Sequence, residues 1–154
     1  MLFRGSVCVL LLLVGPLCFA QVVTIRVINT ADGRPLQRQQ VTVSLLYDKG
    51  EKTPPKYDAN LSLESDANGE AHFTLPEPAP SRLSARVRLT SVHWRCGCEV
   101  LATMADVIQK GIVGPQPAGS KKSVTPVMVS PGEIIFLASP LSFFERALYP
   151  FVKG

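Results

Sequence analysis

Cysteine is scarce in this chain. Four occur among 154 residues, and two of those, Cys8 and Cys18, lie in the first twenty. The fold therefore cannot rest on a disulfide framework, and a domain of this size has to draw its stability from a buried core. Histidine is scarcer still, with only His72 and His93. A closed zinc site needs four ligands, and the sequence has neither a zincin helix nor a nucleophile elbow. Charge of one sign is also lacking, with 16 basic and 12 acidic side chains. Its one basic doublet, Lys121-Lys122, sits in a Gly/Pro/Ser-rich stretch. Nucleic-acid binding wants clustered basic residues with interleaved aromatics, so that class is excluded. Finally, no apolar run reaches the roughly 20 residues of a membrane-spanning helix.

What is present begins with the three parts of a secretory signal. Arg4 supplies the positive region, Val7 to Val14 the apolar region, and Cys18-Phe19-Ala20 small residues at the cleavage positions. Residues 1–20 are thus expected to be a signal peptide, with the mature chain secreted, periplasmic or otherwise at the cell envelope. Lipid attachment at Cys18 is the rival, but Gly15-Pro16-Leu17 lacks the small residue expected just before an acylated cysteine. Cleavage after Ala20 leaves 134 residues, one domain's worth, with a net charge of +3.

Period-2 alternation dominates the following two-thirds and predicts half-buried strands. Val23, Ile25 and Val27 form one apolar face, and Val41, Val43, Leu45 and Tyr47 another. Leu61 and Leu63 lead into a hairpin turn at Asp66-Ala67-Asn68-Gly69, from which Ala71, Phe73 and Leu75 return. Leu83, Ala85, Val87 and Leu89 alternate with Arg82, Ser84, Arg86 and Arg88. Turns are expected at Asn29 to Pro35 and in the long polar segment Asp48 to Asn60. Ile25, Val43, Phe73 and Val87 are expected in a single core. Glu133 to Ala138, apolar on both faces between Pro131-Gly132 and Pro140, reads as a strand covered on both sides.

Two helices are also predicted. Thr103 and Asp106 form a capping pair and Gly111 a stop, giving about two turns between them. A C-terminal amphipathic helix over residues 139–154 is expected to begin at Ser139 with Pro140 in its first position. Its wide apolar face includes Leu141, Phe144, Leu148 and Phe151, which must be buried against the sandwich, a partner or a membrane interface. The fold class is therefore all-β, an antiparallel sandwich over residues 21–138 with a short inserted helix and that C-terminal helix.

The span from Val22 to about Leu89 resembles the carboxypeptidase regulatory-like domain, a transthyretin-like or prealbumin-like (Ig-like) sandwich of exported bacterial proteins. The residues carrying the resemblance are the first strand, Asp32-Gly33-Arg34-Pro35-Leu36, Val41-Thr42-Val43, and Asp66 through Phe73. It implies a seven-stranded accessory, adhesive or carbohydrate-binding-like module with no active site and no cofactor. It covers about half of the mature chain, and the usual Gly-Tyr near the end of the repeat is missing. The expected function is a non-enzymatic binding or structural module at the cell envelope, acting on a protein or glycan partner.

Three features stand outside that frame. Cys96-Gly97-Cys98 is a disulfide candidate, because residues i and i+2 of a strand lie near the upper limit for a bridge. With His93 it forms His-x-x-Cys-x-Cys, a weak candidate for copper or zinc. A small redox or metal-handling protein is accordingly the alternative function. Arg82, Arg86 and Arg88 could pair with acidic glycans or lipid headgroups, or simply form a solvated face or an edge protected against aggregation.

Overall fold

In the computed structural model, which describes residues 21–47, 60–91, 93–118, 127–143 and 145–147, two sheets enclose one core. The chain runs β1 (Val22–Asn29), β2 (Gln40–Leu46), β3 (Asn60–Glu64), β4 (Glu70–Thr74), β5 (Arg82–Arg88), β6 (Trp94–Cys96), β7 (Glu99–Thr103), α1 (Met104–Lys110), β8 (Ile112–Val113) and β9 (Glu133–Pro140). One sheet has the order β3-β2-β5-β7 and is antiparallel throughout. The other has the order β4-β1-β9-β6, with β8 also on β9. The sandwich is thus all-β, as the alternation predicts. It differs in having parallel pairs, β1 with β9 and β8 with β9, and in showing nine strands among the described residues.

Alternation decides which side chains enter. In β5 the apolar Leu83, Ala85 and Val87 are buried while Arg82, Arg86 and Arg88 are exposed. Ile25, Val43, Phe73 and Val87 all join the same core cluster, with exposures of 0, 0, 7 and 2%. Strand β9 has no polar face to spare. Ile134 and Phe136 point into the main core, while Ile135 and Leu137 pack with Ile28 and the partly buried Val127 and Val129 on the other side.

Two turns hold the frame. The Asn29–Pro35 turn is knitted by side chains: the Asn29 amide donates to Asp32 at 2.7 Å, and Asp32 accepts from the Arg34 amide at 3.0 Å. In the second turn Asp66 accepts from the amides of Asn68 (2.8 Å) and Glu70 (2.9 Å), and Gly69 adopts a φ of +71°. This turn is not the expected hairpin. β3 pairs with β2 and β4 with β1, so Asp66–Gly69 carries the chain from one sheet to the other. Alternation sets the faces of two strands but says nothing of which neighbour each will pair with.

Helix α1 follows its capping signal. Thr103 accepts from the Asp106 amide and donates to its carboxylate, and Gly111 ends the helix at φ 72° by donating to the Val107 carbonyl. The expected start of the C-terminal helix at Ser139 is corrected. Ser139 and Pro140 finish β9, where the Ser139 hydroxyl meets that of Thr30 at 2.6 Å and Pro140 lies opposite Trp94. The cap falls three residues later. Glu145 accepts from the Ser142 amide at 2.8 Å, and residues 143 and 145–147 are helical. Phe144, Leu148 and Phe151 lie outside the described residues, as do residues 1–20, 48–59 and the Lys121-Lys122 doublet.

Candidate functional site

After β5 the chain leaves its sheet. Between β5 and β6 the chain passes to the opposite sheet, where β6 pairs with β9, and Gly97-Cys98 return to begin β7. The return is pinned, because the Cys98 carbonyl accepts from the Val87 amide at 3.0 Å. This excursion roofs a cleft of about 770 Å³ lined by Gln40, Arg86 to Ser91, Trp94, Arg95, Cys96 and Cys98. Clefts of roughly 300–1,000 Å³ are the size that takes small ligands.

The described lining holds three arginines and no carboxylate. Arg86 pairs with Glu99 at 2.9 Å, but both side chains are more than half exposed, and such a pair is worth only about 0–1 kcal/mol. Its effect is visible on Glu99, whose carboxyl is held below the usual range first by the Arg86 hydrogen bond and then by that of Ser84. Arg95 makes a two-pronged contact with Glu145, at 2.7 and 3.3 Å, which ties the start of the C-terminal helix to β6. Arg88 has no carboxylate partner among the described residues. Trp94, the only tryptophan in the chain, is half-buried in the lining.

The structure therefore brings Arg86 and Arg88 together with Arg95, while Arg82 lies at the far end of β5 opposite Thr103, outside the cleft. β5 lies between β2 and β7, so its arginines do not guard a sheet edge. Sequence reasoning missed Trp94, Arg95 and Gln40. The adjacency of the sole tryptophan to Arg95 and Cys96 was the available signal, but the strand switch that folds this segment onto β5 leaves no periodic trace.

The cysteines line the same cleft as free thiols, Cys96 half-buried and Cys98 exposed. The Cys98 thiol donates to the Cys96 carbonyl at 3.2 Å. Burial, and then the neighbouring Cys98 side chain, push the Cys96 thiol well above the ordinary thiol range. Gly97 has a packing reason for being glycine: a Cβ there would stand 2.8 Å from Pro115 Cγ and collide with the Pro115 carbonyl. His93 is exposed on the crossing segment, its backbone bonded to Ser91 and Leu141. It does not complete a metal site. Among the described residues no three His, Cys, Asp or Glu side chains are grouped to hold an ion. His72 sits on β4, at the opposite edge of its sheet from β6, bonded to Thr24 at 3.1 Å.

Leu141 is half-buried and its amide donates to the His93 carbonyl at 2.8 Å, whereas Phe143 is 80% exposed. No helix among the described residues is long and apolar enough to cross a membrane.

No family model matches the chain, and no curated protein matches it. Among solved structures it is similar to the full-length major pilin SpaD of Corynebacterium diphtheriae, with 12% identity and a TM-score of 0.46 over 79% of this chain and 30% of that one. Similarity to the shaft pilin SpaA of Lactobacillus rhamnosus GG is comparable, with 11% identity and a TM-score of 0.46 over 79% and 50%. A 3-chlorocatechol 1,2-dioxygenase of Rhodococcus opacus 1CP follows at 12% identity and a TM-score of 0.41 over 79% and 61%. The chain spans about a third to a half of the pilins, and at these TM-scores the likenesses carry no argument about what it does.

Proposed function

We propose that this chain is a non-enzymatic, exported module of the carboxypeptidase regulatory-like kind that binds an acidic glycan at the cell envelope. The observation that carries the reading is the cleft itself: Arg86, Arg88, Arg95 and the sole tryptophan line it, its described lining holds no carboxylate, and Arg88 has no carboxylate partner among the described residues. A guanidinium fork matches a planar carboxylate or sulfate with two parallel hydrogen bonds. The indole face offers an apolar platform for a sugar ring, and the amide of Gln40 and hydroxyls of Thr90 and Ser91 can meet sugar hydroxyls. Among the described residues no histidine, Asp or Glu lines the cleft to serve as a general base. Export is supported by residues 1–20, and the exposed Phe143 on a docked helical turn supports a further contact with a partner or lipid surface.

Affinity electrophoresis of the full chain through gels holding alginate or neutral dextran tests the reading. Retardation by alginate alone, relieved by salt, is expected, and equal mobility in both gels would refute it.

A further inference from the structure

The two thiols ask for a role that glycan binding does not give them. They differ in their access to solvent. Cys98 is exposed in the lining of the cleft, while Cys96 is half-buried in β6, paired with Ala138 of β9. They are nonetheless neighbours, since the Cys98 sulfur lies 3.2 Å from the Cys96 carbonyl oxygen. Their side chains are close enough for the Cys98 thiol to act on that of Cys96. Around them stand Arg86, paired with Glu99, Arg95, paired with Glu145, and Arg88, which has no carboxylate partner among the described residues.

We infer that Cys98 and Cys96 form an attacking and resolving thiol pair that exchanges with anionic disulfides entering the arginine-lined cleft. The Cys98 thiolate attacks one sulfur of the incoming disulfide, forming a mixed disulfide and releasing one thiolate. Cys96 then loses its proton, and its sulfur attacks the Cys98 sulfur. The Cys96–Cys98 bond forms, the mixed disulfide breaks, and the second thiolate leaves. Two electrons and two protons pass from the pair to the incoming disulfide, which is reduced to two thiols. The order of the two cysteines follows from access. Burial keeps Cys96 protonated until the mixed disulfide brings an electrophilic sulfur beside it, so the second step is the slow one. The arginines act on encounter, concentrating a negatively charged disulfide at Cys98. This chemistry holds whether or not the cleft also takes a glycan.

The experiment treats the reduced full chain with oxidised glutathione, quenches with acid and maps tryptic peptides. Arg95 and Lys110 bound a single peptide carrying both cysteines, which keeps Cys8 and Cys18 out of the reading. The native peptide is expected to end two hydrogens lighter and free of glutathione. Cys96→Ser should hold one glutathione on Cys98, and Cys98→Ser should react more slowly than Cys96→Ser. With each rate divided by the same reagent's rate on a free thiol, N-acetylcysteine amide, which removes the difference in leaving group, the dianionic dithiobisnitrobenzoate should be favoured about tenfold over the dicationic cystamine at low salt, with the gap narrowed in Arg88→Ala. A native peptide that stays reduced or keeps glutathione would overturn the inference. So would faster reaction at Cys96, or equal rates with the two reagents once each is divided by its rate on the free thiol.

Discussion

Gly69 packs its backbone directly against Pro35, so that a Cβ at position 69 would stand 2.7 Å from the Pro35 Cβ and 3.0 Å from the Val27 carbonyl. The two turns whose residues suggested the fold are therefore one structure. The Gly69 carbonyl accepts from the Val27 amide, and the Val27 carbonyl from that of Leu36. Gly69→Ala meets both a φ of +71° and this contact, whereas Gly33→Ala meets only a φ of +72° with open space around it. Gly33→Ala should cost about 1–2 kcal/mol, and Gly69→Ala clearly more, as read from urea unfolding. Equal losses would mean that the Pro35 contact yields without cost.

Phe73 tests the core. Its ring is 7% exposed and packs in the cluster that contains Ile25, Val43 and Val87. Phe73→Ala should lower unfolding free energy by roughly 3–5 kcal/mol. A loss under about 1 kcal/mol would place the ring outside a close-packed site.

Acid should destabilise the fold. The Asp66 carboxyl is held below its ordinary value chiefly by the Glu70 amide, and that of Asp106 by the Thr103 hydroxyl and then Lys110. Folded values below unfolded ones mean that this stability is present above the unfolded pKa of about 3.9 and is lost as pH falls through the folded values. Thermal midpoints should therefore drop on acidification below about pH 4, with a shallower drop in Asp66→Asn. An unchanged slope in that variant would remove Asp66 from the account.

These tests fall on features that differ in how far the residues announced them. The faces of β1, β2, β4 and β5 were legible because alternation fixes orientation residue by residue. The Thr103–Asp106 cap and the Gly111 stop were legible because they are local. Pairing was not, since the chain from Asp66 to Gly69 looks the same whether it joins partners or changes sheet. Nor was the start of the C-terminal turn, where Ser139-Pro140 and Ser142-Phe143-Phe144-Glu145 both carry helix signals and the strand bond to Thr30 decides between them. Half the cleft was visible as Arg86, Arg88 and the cysteines. The other half, Trp94 and Arg95, reaches it only through the switch of β6 to the opposite sheet.

The central claim is that this cleft binds an acidic glycan, and the chain carries its own reporter. Trp94 is the only tryptophan and lies in the lining, so its fluorescence reads the site alone. Titrating the full chain with alginate oligosaccharides at low salt should give a saturable change in Trp94 emission. The change should weaken as salt is added, disappear in Arg88→Glu, and be absent with neutral dextran oligosaccharides. No change with alginate, or the same change in Arg88→Glu or with dextran, would contradict the account.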